Sequence, residues 1–323
     1  MSRQGSTLIA AIVVAGCAAH DPAHHAAHDA GRATPPAHAH HHAHHGQQNT
    51  PPMSELLAAS PAADWRRLDP ANTLYMEIAS GRVIIELAPE FAPKHVANIR
   101  TLVRQKYYDG IAIVRSHDNY VVQWADPTDK RDLGAASKNV EGEFTRPAAG
   151  LAFMKLPDPD TYGEAGFASG FWAARESATG RAWMVHCYSS VGVGRGNATN
   201  SGSGASLYAV IGSAPRLLDR NITVVGRVVH GIEKLSVLPR GTGTLGFYEK
   251  PEQHTPIATV RLAADVPPAD RTELEALRAD SETFRQMVEN RRHRRDDWYK
   301  EPAGHVDVCN VPLPIRNARP QGG

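Results

Sequence analysis

Regular patterning of apolar residues begins near Asp64. The runs 73–79 (TLYMEIA) and 82–87 (RVIIEL) are rich in β-branched and aromatic residues and meet at Ser80-Gly81, which predicts a hairpin with a two-residue turn. The period then changes. Pro93 suits a first helical turn, and Val96, Ile99, Leu102 and Val103 recur at helical spacing until Asp109-Gly110 stops the segment, so an amphipathic helix follows. Further β-rich runs lie at 112–115, 120–123, 151–154, 207–211, 223–229 and 257–262, and a shorter helix is expected over 232–238, after Gly231. Many short strands with only two helices, over about 200 residues, fit a closed antiparallel barrel better than a parallel sheet.

After Ala264 the pattern changes again. Pro267-Pro268 punctuates, Asp270 with Glu273 has capping-box spacing, and Leu274, Leu277, Phe284, Met287 and Val288 form a helical stripe split near Ala279-Asp280. Two packed helices are therefore expected in a C-terminal extension, 265–323, with 311–315 (VPLPI) lying extended along the body. The basic run Arg291-Arg-His-Arg-Arg precedes Asp296-Asp297 and suits a solvated helix C-terminus better than a nucleic-acid or lipid contact.

Composition narrows the function classes. The 323 residues are 41% hydrophobic and 21% charged, enough for one or two domains with a real core. Lys+Arg number 35 against Asp+Glu 34, so no basic excess exists to hold a phosphate backbone, and no nucleic-acid partner is expected. Arg3, the short apolar stretch 8–15 and Gly16-Cys17 form an export signal, 1–16, too short to span a bilayer as a mature helix. The run Val14-Ala15-Gly16-Cys17 resembles a bacterial lipobox, which implies lipidation of Cys17 and a periplasmic protein anchored to the membrane. Ordinary cleavage near Ala19, giving a soluble periplasmic protein, is the other reading. Residues 17–63 carry little to bury and read as a disordered linker. Within it, His38, His40, His41, His42, His44 and His45 could capture Zn²⁺, Cu²⁺ or Ni²⁺ weakly, but a tract without fixed geometry reads first as a solvated spacer. Cys187 and Cys309 remain as a pair that an oxidising compartment could link if the fold brings them together, which sequence leaves open.

Three ordered stretches carry a family resemblance. Residues 83–99 (VIIELAPEFAPKHVANI), 108–127 (YDGIAIVRSHDNYVVQWADP) and 217–235 (LLDRNITVVGRVVHGIEKL) resemble the cyclophilin-type peptidyl-prolyl cis/trans isomerases over 74–263. The resemblance implies a mainly β fold for 64–264, a closed eight-stranded antiparallel barrel capped by two helices. It implies isomerisation of X-Pro bonds in exported proteins, with proline-containing polypeptides as partners and no cofactor. Arg115 and Gln123 fall at the family's catalytic arginine and glutamine; Tyr120, Val121, Tyr208, Leu217 and Ile222 fall at substrate-binding positions. Val114, Val121, Leu217 and Ile222 replace the family's histidine, methionine, tryptophan and second histidine, and Trp124-Ala125 replaces a Gly-Gly pair. These departures imply weak or selective turnover, and with them an alternative, a catalytically weak or inactive peptide-binding module on the same fold; a third reading makes the His tract primary and the protein a metal-handling His-rich lipoprotein.

The chain is also longer than the family pattern between Met154 and Tyr208, which places an insertion at about 157–203. Its aromatics Phe167, Phe171, Trp172, Trp183 and Tyr188 are expected to offer apolar surface beside the cleft. The Gly-rich stretch 191–196 lacks the Lys-Ser/Thr ending of a phosphate cradle, and His186-Cys187 lacks further ligands for a metal.

Overall fold

The computed structural model describes residues 51–294 and 298–319. The signal segment, Cys17 and the whole His tract lie outside them. Eight strands form the barrel: β1 (Thr73–Ile78), β2 (Gly81–Leu87), β3 (Ala112–Ser116), β4 (Val121–Ala125), β5 (Ser190–Val193), β6 (Leu207–Val210), β7 (Val224–His230) and β8 (Thr255–Leu262). They run β5-β6-β4-β3-β8-β1-β2-β7, and β7 pairs back to β5, so the sheet has no free edge. Every pairing is antiparallel.

Alternation fills the interior. Leu74, Met76 and Ile78 of β1 and Val83, Ile85 and Leu87 of β2 point inward, where the helix Pro93–Arg104 adds Val96, Ile99, Leu102 and Val103. The hairpin forms one residue earlier than expected: Ile78 pairs with Gly81, leaving Ala79-Ser80 as the turn, and Gly81 takes φ +114°, a conformation glycine adopts without a Cβ penalty. The second capping helix covers Ile232–Ser236. Trp124 takes the place of the first glycine of the family's Gly-Gly pair without altering the outer surface. Its ring is 1% exposed and packs inside the barrel, on the face opposite Gln123, so it replaces core volume.

The insertion occupies 146–188, not 157–203. Ser190–Val193 is barrel strand β5 with Val191 and Val193 in the core, and Phe153–Lys155, expected in the barrel, belongs to the added lobe. That lobe is a five-stranded antiparallel sheet in the order Arg146–Pro147, Arg181–Met184, Phe171–Glu176, Glu164–Ala168, Phe153–Lys155. Its two faces are both covered. Phe171, Ala173 and Met184 meet Ala88, Phe91 and Val224 of the barrel side, while Phe167, Trp172 and Trp183 join a second core with the C-terminal extension. Four of the five aromatics expected to face a peptide are therefore core residues; Tyr188, 42% exposed, is the one at the surface.

The second core also corrects both ends of the chain. Among its described residues the extension holds one α-helix, Glu282–Arg292, capped by Ser281, whose hydroxyl accepts from the Phe284 N–H at 3.2 Å. The expected first helix is instead the strand Leu274–Leu277, paired on either side with Trp65–Arg67 and Ile315–Asn317. Both partners are remote in sequence, and this long-range pairing overrides the local helical spacing. Phe284 meets Phe167 edge to face with centroids 4.9 Å apart. Among the described residues, regular structure is present from Met53, ahead of the expected start near Asp64: the helix Met53–Ala58 buries Leu56 in the same core, with Met53 and Leu57 packed against it. Cys187 and Cys309 form a disulfide that ties the insertion to the extension.

Candidate active site

The site is built on the outer face of β3, β4 and β6. Ile113 pairs with Trp124 and Arg115 with Gln123, so Val114 is an extra residue on β3 and the register shifts there. This bulge turns Arg115 outward, directly across from Gln123. Tyr208 of β6 stands beside Gln123 on the next strand.

Three protein acceptors orient the Arg115 guanidinium. Its Nε donates to the Leu245 carbonyl at 2.6 Å, Nη1 to Gln123 Oε1 at 3.1 Å, and Nη2 to His117 Nδ1 at 3.0 Å. Its carbon lies 5.5 Å from the Tyr120 ring centroid and 5.2 Å from that of Phe247. Burial draws the arginine's pKa down from its ordinary value, and a guanidinium in a protein keeps its charge at neutral pH. His117 is held below the ordinary histidine value by burial and by the neighbouring Arg115 charge, which keeps Nδ1 free to accept. Leu245 adopts φ +58°, rare for a branched side chain, and its carbonyl meets the arginine in that conformation. Gln123 is fixed in turn by donation from Nε2 to Ser206 Oγ at 2.9 Å.

Beside this polar group lies a small apolar cluster. Val121, Tyr208 and Val210 form it, with Tyr120 and Ile222 packed at its edge. The Tyr208 ring crosses β5 where Gly192 leaves room: a Cβ at 192 would sit 2.2 Å from the hydroxyl oxygen. Thus Arg115, Gln123, Tyr120, Val121, Tyr208 and Ile222 converge. Leu217 does not. It stands outside that buried cluster, 55% exposed on the 3₁₀ turn Ala214–Leu218, where Pro215 is buried and Arg216 pairs with Asp160 and Asp219. A cleft of about 730 Å³ lies elsewhere, lined by Glu86, Glu90, Phe153, Gly170 and Arg285 among others, and none of the Arg115 group lines it.

Sequence reasoning missed the residues that support the site. His117, Ser206, Leu245 and Phe247 hold Arg115 and Gln123, while His186 and Asp219 hold Tyr208. The one available signal was a histidine in the insertion with no other assignment.

Comparison with known proteins agrees with this geometry. The family profile described as cyclophilin type peptidyl-prolyl cis-trans isomerase/CLD matches residues 73–262, more than half of the chain. A probable peptidyl-prolyl cis-trans isomerase of Brucella suis is 27% identical over 175 residues, 54% of this chain and 74% of that protein. The human peptidyl-prolyl cis-trans isomerase-like 1 is 34% identical over 115 residues, 33% of this chain and 66% of that protein. Among solved structures, the cyclophilin AquaCyp293 from Hirschia baltica superposes with a TM-score of 0.65 at 27% identity, covering 79% of this chain and 94% of that one. Barrel order, outer-face arginine and profile match point the same way: the chain belongs to the cyclophilin-type peptidyl-prolyl cis/trans isomerase family.

Proposed function

We propose that the protein catalyses cis/trans isomerisation of X-Pro bonds in exported polypeptides, with Arg115 as the group that stabilises the twisted amide. The barrier of about 18–20 kcal/mol comes from amide resonance, so a catalyst must favour the deconjugated state and needs no nucleophile. In that state the prolyl nitrogen is pyramidal and carries a lone pair. A guanidinium has five N–H groups; three are engaged by Leu245, His117 and Gln123, which leaves two for the substrate. A charge-assisted bond formed only in the twisted state contributes about 1.5–3 kcal/mol, or roughly one to two decades of rate. The observation that carries this reading is the Arg115–Gln123 pair at the rim of the Val121–Tyr208–Val210 cluster. Protease-coupled isomerisation of a proline tetrapeptide tests it: the purified chain is expected to accelerate turnover, and an uncatalysed rate refutes the proposal.

A second reading has one observation in its favour. Val121 and Tyr208 are 1% and 4% exposed, so little of either side chain is open to a proline ring, which suits a peptide-binding module with little turnover.

The acid side of the pH profile gives a further test. Protonation of His117 would remove the acceptor for Arg115 Nη2 and set two positive charges together. Because its pKa is lowered, kcat/KM should hold down to a midpoint below the ordinary histidine value of about 6.5 and fall beneath it. His117→Gln should abolish that limb.

Export and membrane anchoring belong to the same proposal. The apolar segment 8–15, Cys17 and a disulfide of the kind that oxidising compartments preserve support it. Cys17→Ser is expected to move the protein from the membrane fraction to the soluble periplasmic fraction; persistent membrane association would count against lipidation at Cys17.

A further inference from the structure

A buried hydrogen-bonded chain runs from the apolar seat into the added lobes. His186 lies two residues beyond the strand Arg181–Met184, and its side chain and that of Asp219 are 1% and 0% exposed. Asp219 Oδ1 accepts from the His186 backbone N–H at 3.0 Å and from ring Nδ1 at 2.8 Å. The other ring nitrogen, Nε2, is hydrogen-bonded to the Tyr208 hydroxyl at 2.9 Å, so the imidazole bridges Asp219 and Tyr208. Burial pushes the Tyr208 pKa far above its ordinary value, so that hydroxyl keeps its proton. Beyond Asp219, Oδ2 accepts from Arg216 Nε at 3.2 Å, and Arg216 Nη2 donates to both oxygens of Asp160, at 2.8 and 2.9 Å. Asp160 lies between two strands of the insertion sheet, and Arg216 also approaches Asp307 of the extension at 3.8 Å. Cys187, next to His186, is bonded to Cys309.

Isomerisation moves no proton, so this chain has no acid–base task in it. What it does is fix a ring. Tyr208 packs against Val121 and Val210 in the buried cluster beneath the proposed seat, and rotation of that ring would change the surface the cluster presents. The hydroxyl of Tyr208 has its hydrogen-bond partner on a residue of the insertion, an element outside the barrel.

We propose that His186, oriented by Asp219, is a positioning residue that sets the Tyr208 ring beneath the proline seat and so lets the insertion lobe determine peptide affinity and selectivity. This rests on the isomerase reading of the seat and names what governs substrate recognition there.

Two substitutions separate the two ends of the imidazole. His186→Asn keeps a donor near the Nδ1 position for Asp219 but is too short to meet Tyr208; His186→Gln places an amide oxygen near the Nε2 position and keeps the Tyr208 bond. With the tetrapeptide Ala-Ala-Pro-Phe, His186→Asn and Tyr208→Phe should each raise KM about five- to tenfold and leave kcat within about twofold. Their double variant should be no worse than either alone, because both remove one interaction. His186→Gln should restore KM to within about twofold of the parent. The dissociation constant of the same peptide, titrated by NMR, should follow the KM order without depending on turnover.

An additive double variant, an unchanged KM in Tyr208→Phe, or a loss confined to kcat would overturn the assignment. Binding without turnover by the parent chain contradicts the isomerase reading alone, and the order of dissociation constants then decides this one. Absence of peptide binding by the parent chain overturns both.

Discussion

Arg115→Ala is expected to lower kcat/KM for a proline tetrapeptide by about tenfold or more while the melting temperature falls by no more than about a few degrees. The guanidinium is the one charged group that the mechanism uses, and it is held against Gln123, His117 and the Leu245 carbonyl rather than inside the barrel core. Its loss therefore removes transition-state stabilisation with little packing. Arg115→Lys should not rescue the rate, since a single ammonium cannot meet three acceptors in a fixed fork and still donate to the substrate. Steady-state kinetics with a thermal scan on the same preparations checks this. A folded Arg115→Ala variant with an unchanged rate would remove Arg115 from the mechanism.

The second large effect concerns stability. The disulfide joins residues 122 apart in sequence, so in the chain-entropy account it removes about 4–5 kcal/mol of freedom from the unfolded state. It also fastens the insertion to the extension through the core that holds Trp172, Trp183, Phe284 and Val311. Replacing both cysteines by alanine should lower the melting temperature by about 10 °C. Full reduction of the parent chain should give a similar shift. An unchanged transition after complete reduction, verified by thiol titration, would show that the second core alone fixes the two lobes.

The barrel was legible where local pattern and long-range pairing agree. The alternation of β1 and β2 and the helical stripe Val96, Ile99, Leu102, Val103 all bury one face in one core, and each appears in the structure with only small boundary shifts. Strand β5 was hidden because Gly192 and Gly194 make 191–196 look like a loop, whereas Gly192 is needed for the Tyr208 ring to cross the sheet. Leu274–Leu277 misled for the opposite reason. Its four residues fit either period, and partners more than thirty residues away decide the outcome.

The site divides in the same manner. Arg115, Gln123, Tyr120, Val121 and Tyr208 stand in short ordered motifs, and adjacent strands bring them together. His186 and Asp219 are 33 residues apart on elements whose proximity exists only in the folded chain. Leu217 is exposed on a turn whose Arg216 pairs with Asp160, 56 residues away in sequence, a contact no local motif encodes.

The central claim is catalysis at a proline seat beside Arg115, and NMR exchange spectroscopy on a proline tetrapeptide tests it most directly, since one spectrum reads binding and isomerisation separately. Uncatalysed exchange between the cis and trans forms takes tens of seconds or longer at 25 °C. With a small fraction of the protein present, exchange cross-peaks between the two sets of resonances are expected, and Arg115→Ala should remove them while leaving the peptide's binding shifts. Binding shifts from the parent chain without cross-peaks at any protein concentration would contradict the account and identify a module that holds prolyl peptides without turning them over.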